Sequence, residues 1–281
     1  MDSSSSVGVL YLAFGAPYLE EARRSAGSVK TSNPGLKICI VTDQPEEPGE
    51  IFDVVLPFEE KGEVQSESYL ALDRVAYYRK IQPLLRSPFE RTLFLDSDTW
   101  VCGSLSGVFD LLEKFEVLVT PVFITRDYAF EEKEMPFAAI PEAFGYFNSG
   151  FLAFRRCPAV VNFIQRWQEN YEQHTAQFTV NDQPALRLTL FEGVVDFHVV
   201  PPQFNTVSWV PFLIPGGGKV VMLHGRNPWL QRWAGHLKAS RTTMVGSFSM
   251  KHLAVYHGAR VLYAAQRFWK KLTGKNSKKN G

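Results

Sequence analysis

The stretch Arg91-Thr-Leu-Phe-Leu-Asp-Ser-Asp-Thr-Trp100 runs three apolar residues, Leu93, Phe94 and Leu95, straight into two carboxylates at Asp96 and Asp98. An unbroken apolar run after a charged lead-in predicts a strand buried on both faces, the kind that builds parallel sheets. In an open α/β sheet, ligands bind just outside the carboxyl ends of the strands. Two carboxylates at such an edge can hold a hard divalent cation, which in turn can hold a phosphate.

Outward from this stretch, strand and helix patterns alternate. Residues 7–14 predict a first strand, followed by a polar helix from about Tyr18 to before Asn33-Pro34-Gly35. Strands are expected over 36–42 and 51–57, and a helix over 68–85 that Ser87-Pro88 ends. Beyond the two carboxylates come a helix around 105–114, strands over 117–122 and 146–154, and a helix over 159–174. That helix carries Val160, Phe163, Ile164 and Trp167 on one face. Late strands are expected over 194–200 and 219–223, with Pro215-Gly-Gly-Gly218 as a hinge or hairpin turn whose glycines lack phosphate-loop spacing. Residues 125–141 are charged and irregular, and read as a surface loop or lid. The alternation predicts an α/β fold with a mainly parallel central sheet and helices on both faces.

A chain of 281 residues can bury one large core, or a core plus an appendage. The net charge of +1 conceals an asymmetry: from His236 onward there are ten Lys or Arg and no acid, which leaves −9 on the rest. We therefore divide the chain into a body, 1–235, and a basic, partly helical appendage, 236–281. Residues 252–272 can form a helix with Leu253, Val261, Ala264, Ala265 and Phe268 on one side. Such a basic helix suits an anionic membrane surface, or else packs on the body; no motif points to nucleic acid. Cys39, Cys102 and Cys157 are too few and scattered for a disulfide framework or a zinc site, so a reducing compartment is expected. The start lacks the basic region of a secretory signal, and no apolar run approaches the ~20 residues that span a bilayer. A cytoplasmic protein, peripheral to a membrane if the tail engages one, is expected.

The Asp-x-Asp pair by itself supports three readings. One is a strand end followed by a solvated Asp-Ser turn. Another is a phosphatase of the haloacid-dehalogenase type, which fails because position 100 is Trp where that family has Thr or Val, and because the chain has no Asp-Asp pair. The third is a metal-dependent transferase, and the surrounding motifs decide for it.

Those motifs fall in order. Ala13 to Tyr18 follows the first strand; Tyr77-Tyr78-Arg79-Lys80-Ile81 with Pro83-Leu84-Leu85 precedes the metal strand; then come Leu93 to Thr99, Phe147-Asn148-Ser149-Gly150-Phe151, Asp182-Gln183 with Leu186, and Val221-Met222-Leu223-His224. Together, over about residues 7–230, they resemble the retaining glycosyltransferases of the GT-A (Rossmann-like) nucleotide-diphospho-sugar transferase fold. The nearest likeness is to family 8, the glycogenin-like and lipooligosaccharide galactosyltransferase-like enzymes.

The resemblance implies a role for each residue. Ala13 and Tyr18 would flank the base of a nucleotide-diphosphate sugar, UDP-linked by expectation. Asp96, Asp98 and His224 would hold a divalent ion, with Ser97 in the same binding turn; an imidazole ligand favours Mn²⁺ over Mg²⁺. Such an ion neutralises charge on the departing diphosphate without a proton donor. Arg79 would clamp a phosphate or acid with its planar fork. Asn148 would bond a sugar hydroxyl, Asp182 would orient donor hydroxyls, and Gln183 would lie near the anomeric carbon, unless it is only the first turn of a helix capped by Asn181. The acceptor would be a glycan or a lipid-linked hydroxyl. The chain departs from the family in two places. Gly15 and Ala16 stand where an acidic residue usually meets uracil, and His224-Gly-Arg-Asn-Pro-Trp229 is a shortened loop with Asn for Lys, so that Arg226 becomes the candidate for the missing charge. A catalytically silent binder of nucleotide sugars or glycans, and an inverting GT-A enzyme, are the rival readings.

Overall fold

A computed structural model describes residues 6–58, 80–122, 136–175, 181–207 and 220–226. Its strands are β1 (Val7–Ala13), β2 (Lys37–Thr42), β3 (Val54–Pro57), β4 (Arg91–Leu95), β5 (Thr99–Val101), β6 (Val117–Pro121), β7 (Phe147–Arg155), β8 (Phe197–Val199), β9 (Thr206–Val207) and β10 (Met222–His224). Its α-helices are α1 (Ala16–Ser32), α2 (Ser106–Leu111), α3 (Pro158–Asn170) and α4 (Gln183–Phe191). A seven-stranded sheet has the order β3-β2-β1-β4-β7-β6-β8, and β5-β10-β9 form a second, smaller sheet. In the large sheet β7 alone runs against its neighbours, β4 and β6; the other pairings are parallel.

The apolar runs are continuous because both sheet faces are covered. Val9, Tyr11 and Ala13 of β1, with Ile38, Ile40, Leu93 and Leu95, face one core, closed by Leu19, Ala22, Ala26 and Val29 of α1 and by Val108 and Phe109 of α2. The alternate residues Leu10, Cys39, Val41 and Phe94 face the other, closed by Val160, Phe163, Ile164 and Trp167 of α3 and by α4. The period-2 alternation of a strand thus divides one hydrophobic run between two cores.

Several elements differ from their sequence pattern. α1 begins at Ala16 rather than Tyr18, because Pro17 sits in its first turn, where the missing N–H costs nothing. β3 is shorter than residues 51–57, since Asp53 leaves the strand to bind Lys30 and Lys37 and to accept from the Ile38 N–H. Residues 136–141 are only partly surface loop: Phe137 and Ile140 are buried against Leu188, while Ala138, Ala139 and Pro141 are exposed. Of the helix expected over 68–85, only the end is described, and Gln82–Arg86 is a 3-10 turn. The remainder of that helix, residues 125–135, the Pro215-to-Gly218 turn and the basic appendage lie outside the described residues. Among the described residues no helix is long and apolar enough to cross a membrane.

Gly8 allows the tightest approach in β1, for a Cβ there would overlap the ring of Phe89, which is buried in the second core. Gly8→Val is expected to cost about 1–3 kcal/mol, as overpacking usually does. Phe89→Leu in the same chain should recover part of that loss, which urea melts of the three proteins would measure.

Candidate active site

The site forms where β4 ends and β7, β10 and the turn into β5 meet. The Asp96 N–H donates to the Gly150 carbonyl, which ties the first carboxylate to β7. Thr99 then donates its hydroxyl to the Asp96 carbonyl at 2.9 Å. That bond makes Thr99 an acceptor towards Ser25 (2.7 Å), and Ser25 in turn an acceptor towards the buried Tyr11 hydroxyl (2.8 Å). Ser28, one turn along α1, accepts from the Val101 N–H. Small hydroxyl residues on α1 therefore pin the strand that follows the acidic turn. β5 pairs antiparallel with β10, with Thr99 opposite His224, and so delivers the histidine to the carboxylates.

Asp96, Asp98 and His224 each offer a ligand atom within 4.8 Å of the others. His224 Nε2 lies 3.2 Å from Asp98 Oδ1 and 3.7 Å from Asp96 Oδ2. Gly150 is required between them, since a Cβ there would overlap both His224 and Asp96. β7 bulges at this point: Val119 pairs with Leu152, but Thr120 pairs with Asn148. Such bulges re-aim side chains beside functional sites.

The hydrogen bonds determine which imidazole nitrogen carries the proton. The Gly150 N–H donates to Asn148 Oδ1 at 2.9 Å, so that oxygen can only accept. Asn205 must therefore turn its Nδ2 to Asn148 (2.8 Å) and to Thr120 (2.9 Å). Its Oδ1 is left to face His224 Nδ1 at 2.9 Å, and Nδ1 is the donor. A neutral His224 thus points the lone pair of Nε2 at two carboxylates, an arrangement that needs positive charge among the three groups. The donor set of two hard oxygens and one imidazole fits a divalent transition ion. Without one, a proton serves. Burial pulls the His224 pKa down, but the Asp98 hydrogen bond and the two carboxylate charges raise it overall. Burial likewise pushes Asp98 up, yet His224 and Arg226 bring it down to about 2.

Residues 11–211 match glycosyl transferase family 8. The chain belongs to that family. The galactosyltransferase LgtC, in complex with donor and acceptor sugar analogs, is similar in structure: TM-score 0.56 at 16% identity, covering 86% of this chain and 98% of that one. Mouse xyloside xylosyltransferase 1 in its apo form gives 0.53 at 14% identity, covering 79% and 98%. The glycosyltransferase GlyE of Streptococcus pneumoniae TIGR4 gives 0.54 at 19%, covering 84% and 61%. At such identities the likeness establishes the GT-A fold. No curated protein matches the chain in sequence.

In this family 8 glycosyltransferase the other predicted residues fall on two sides of the acidic cluster. On one side Tyr18 is 47% exposed, with the Arg226 guanidinium 5.3 Å from its ring centre; Ala13 is buried at the end of β1. Arg226 is bound by both oxygens of Glu21 (2.9 and 3.2 Å) and lies 3.9 Å from Asp98 Oδ2. Ser97 donates to the same Glu21 at 3.0 Å. On the other side Asp182 is fully buried and accepts from Ser149 at 2.7 Å. Burial raises its pKa against the opposing pull of Lys80 and Ser149. The cap residue of α4 is Asp182 rather than Asn181, and its side chain makes no capping bond; Asn181, one residue earlier, accepts from the Gln183 N–H through Oδ1. Arg79 lies outside the described residues.

Three further residues belong to the site: Asn205, Glu21 and Lys80. Glu21 stands three residues after Tyr18 on α1, a spacing that puts both on one helix face. Asn205 stands in the polar, irregular run Gln203-Phe-Asn-Thr206, where nothing in the sequence singles it out. If the cluster holds a divalent ion, Asn205→Leu is expected to weaken its binding by about 10- to 100-fold, the usual effect of removing the partner behind a metal-ligating histidine. Calorimetric titration, with circular dichroism to verify folding, would measure it; unchanged affinity would mean that something other than Asn205 orients His224.

Proposed function

We propose that this transferase moves a hexose from a UDP-sugar to a hydroxyl of a glycan or lipid-linked acceptor, with retention, using Mn²⁺ or Mg²⁺. The reading is carried by His224, whose Nε2 lone pair Asn205 holds towards Asp96 and Asp98. These three residues would hold the ion, and when bound it supplies positive charge to the departing diphosphate. Ala13 and Tyr18 would flank the base. Arg226 and Arg79 would meet phosphate oxygens, with Ser97 keeping the turn in register through Glu21. The Oδ1 of Asn148 is taken by Asn205 and Gly150, which leaves Nδ2 as its donor towards a sugar hydroxyl. Asp182, behind Ser149, would act on the donor sugar by orienting that hydroxyl and Lys80; Gln183 at the helix start would lie towards the anomeric carbon.

Incubation with UDP-hexoses tests the reading. Slow release of UDP is expected with Mn²⁺, is expected to stop with EDTA, and should return when Mn²⁺ is restored. The sugar product, followed by NMR, should keep the donor's anomeric configuration. A chain that binds the donor yet releases no UDP is a silent binder, and an inverted product makes it an inverting transferase.

The division into a catalytic body, 1–235, and an appendage, 236–281, extends the proposal to the membrane. Ten basic groups without an acid would attract the appendage to anionic lipid. The full chain is expected to sediment with phosphatidylserine vesicles at low salt and to be released as salt shortens the ~8 Å physiological screening length. Truncation after Gly235 should abolish sedimentation. Equal binding to neutral vesicles at high salt would make apolar insertion the cause instead.

A further inference from the structure

Lys80 lies between two carboxylates that compete for it. Its ammonium is 3.0 Å from Asp96 Oδ1 and 3.2 Å from Asp96 Oδ2, and so spans the carboxylate. Oδ2 is also the oxygen that faces His224 Nε2, at 3.7 Å. The oxygen turned towards Asp98 and His224 is therefore already engaged by a cation. A divalent ion on that oxygen would sit against the ammonium, and the side chain of Lys80 is only 12% exposed, so water screens the repulsion poorly.

On its far side the same ammonium donates to Ser149 Oγ at 3.1 Å and stands 3.7 Å from Asp182 Oδ2. Asp182 Oδ2 is buried and, among the described residues, has no hydrogen-bond partner. A buried carboxylate oxygen without a donor is unfavourable. A movement of about 1 Å would bring the ammonium into hydrogen-bond range of it. The second berth for Lys80 thus exists, incomplete, on the side away from the ion.

We infer that Lys80 is a positioning residue linking the metal to the buried acid: a cation at Asp96 displaces its ammonium onto Asp182 Oδ2. The inference rests on the metal-dependent reading above. It means that the lysine competes with the ion for Asp96, while ion binding completes the Lys80–Ser149–Asp182 group beside the sugar. A lysine that merely stabilised the site would, once removed, loosen the ligands and weaken the ion. Competition has the opposite sign.

Mn²⁺ titration of the wild type and of Lys80→Met distinguishes the two. Lys80→Met is expected to bind Mn²⁺ about tenfold more tightly, within the usual range of coupling between sites, and to lose donor turnover. Lys80→Arg, which keeps the charge, should stay at wild-type affinity or below. Because Lys80→Met removes the counter-charge that Asp182 has among the described residues, the comparison of Asp182→Asn with Asp182→Asn/Lys80→Met decides the matter if the single variant does not fold. Equal or weaker Mn²⁺ binding on loss of the lysine overturns the inference. A wild type that binds no Mn²⁺ at all overturns the metal-dependent reading instead.

Discussion

Four carboxylates, from Glu21, Asp96, Asp98 and Asp182, converge at one end of the sheet, and the rest of the site is built around their mutual repulsion. Two unit charges about 4 Å apart near a protein surface repel by about 4 kcal/mol. The arrangement stands because basic side chains are interleaved with the acids: the Lys80 ammonium between Asp96 and Asp182, the His224 imidazole against Asp98, the Arg226 guanidinium across Glu21. Environment then separates acids of one chemical type. Asp98, beside His224 and Arg226, stays low at about 2, while the buried Asp182 is pushed up by burial.

Holding such groups in place is the task of the polar core. The chain of hydroxyls from Tyr11 through Ser25 and Thr99 to the Asp96 carbonyl joins the middle of the sheet to the acidic turn. Each member has only one consistent direction of donation, since the carbonyl at its end can only accept. The Gly150 N–H sets the direction of a second chain, through Asn148 and Asn205 to His224. Two directional networks thus meet at the site from opposite sides of β4, and both begin at groups whose role is not adjustable. Fully satisfied buried networks of this kind specify one geometry rather than adding much stability.

The buried strands were legible because a two-faced strand writes itself as a short apolar run, and Leu93 to Leu95 ending in Asp96 placed the site at a sheet edge. The order of motifs did the rest: Asp96, Asp98 and His224, distant in sequence, come together. What escaped was set by tertiary contact. β5 and β9 are three and two residues long and exist as partners of β10, with too little periodicity to show. The antiparallel direction of β7 is invisible in its side chains, since a strand buried on both faces reads the same in either sense. Asn205 acts on another side chain, His224, and a polar residue in that role carries no spacing rule; Glu21 does share a helix face with Tyr18, but an acid on an exposed helix face is too common to single out. Lys80 was passed over for its neighbour Arg79, the residue the family resemblance points to.

Arg226 and Lys80 show how exposure separates two lysine-or-arginine contacts that look alike on paper. The Arg226 side chain is 58% exposed, and an exposed ion pair is worth about 0–1 kcal/mol. Its fork can therefore leave Glu21 for a phosphate at little cost, and the flat guanidinium over Tyr18 already lies between the proposed base and metal sides. Lys80 is held in a drier place by two acids, so that any movement must be driven by an equivalent charge arriving at Asp96. On the proposed function, the first cation would answer the nucleotide and the second the metal. The shortened loop after His224 fits this division. With Asn227 where the resembled enzymes have Lys, positive charge would come to the proposed diphosphate side from Arg226, two residues after the histidine, which Glu21 holds in place.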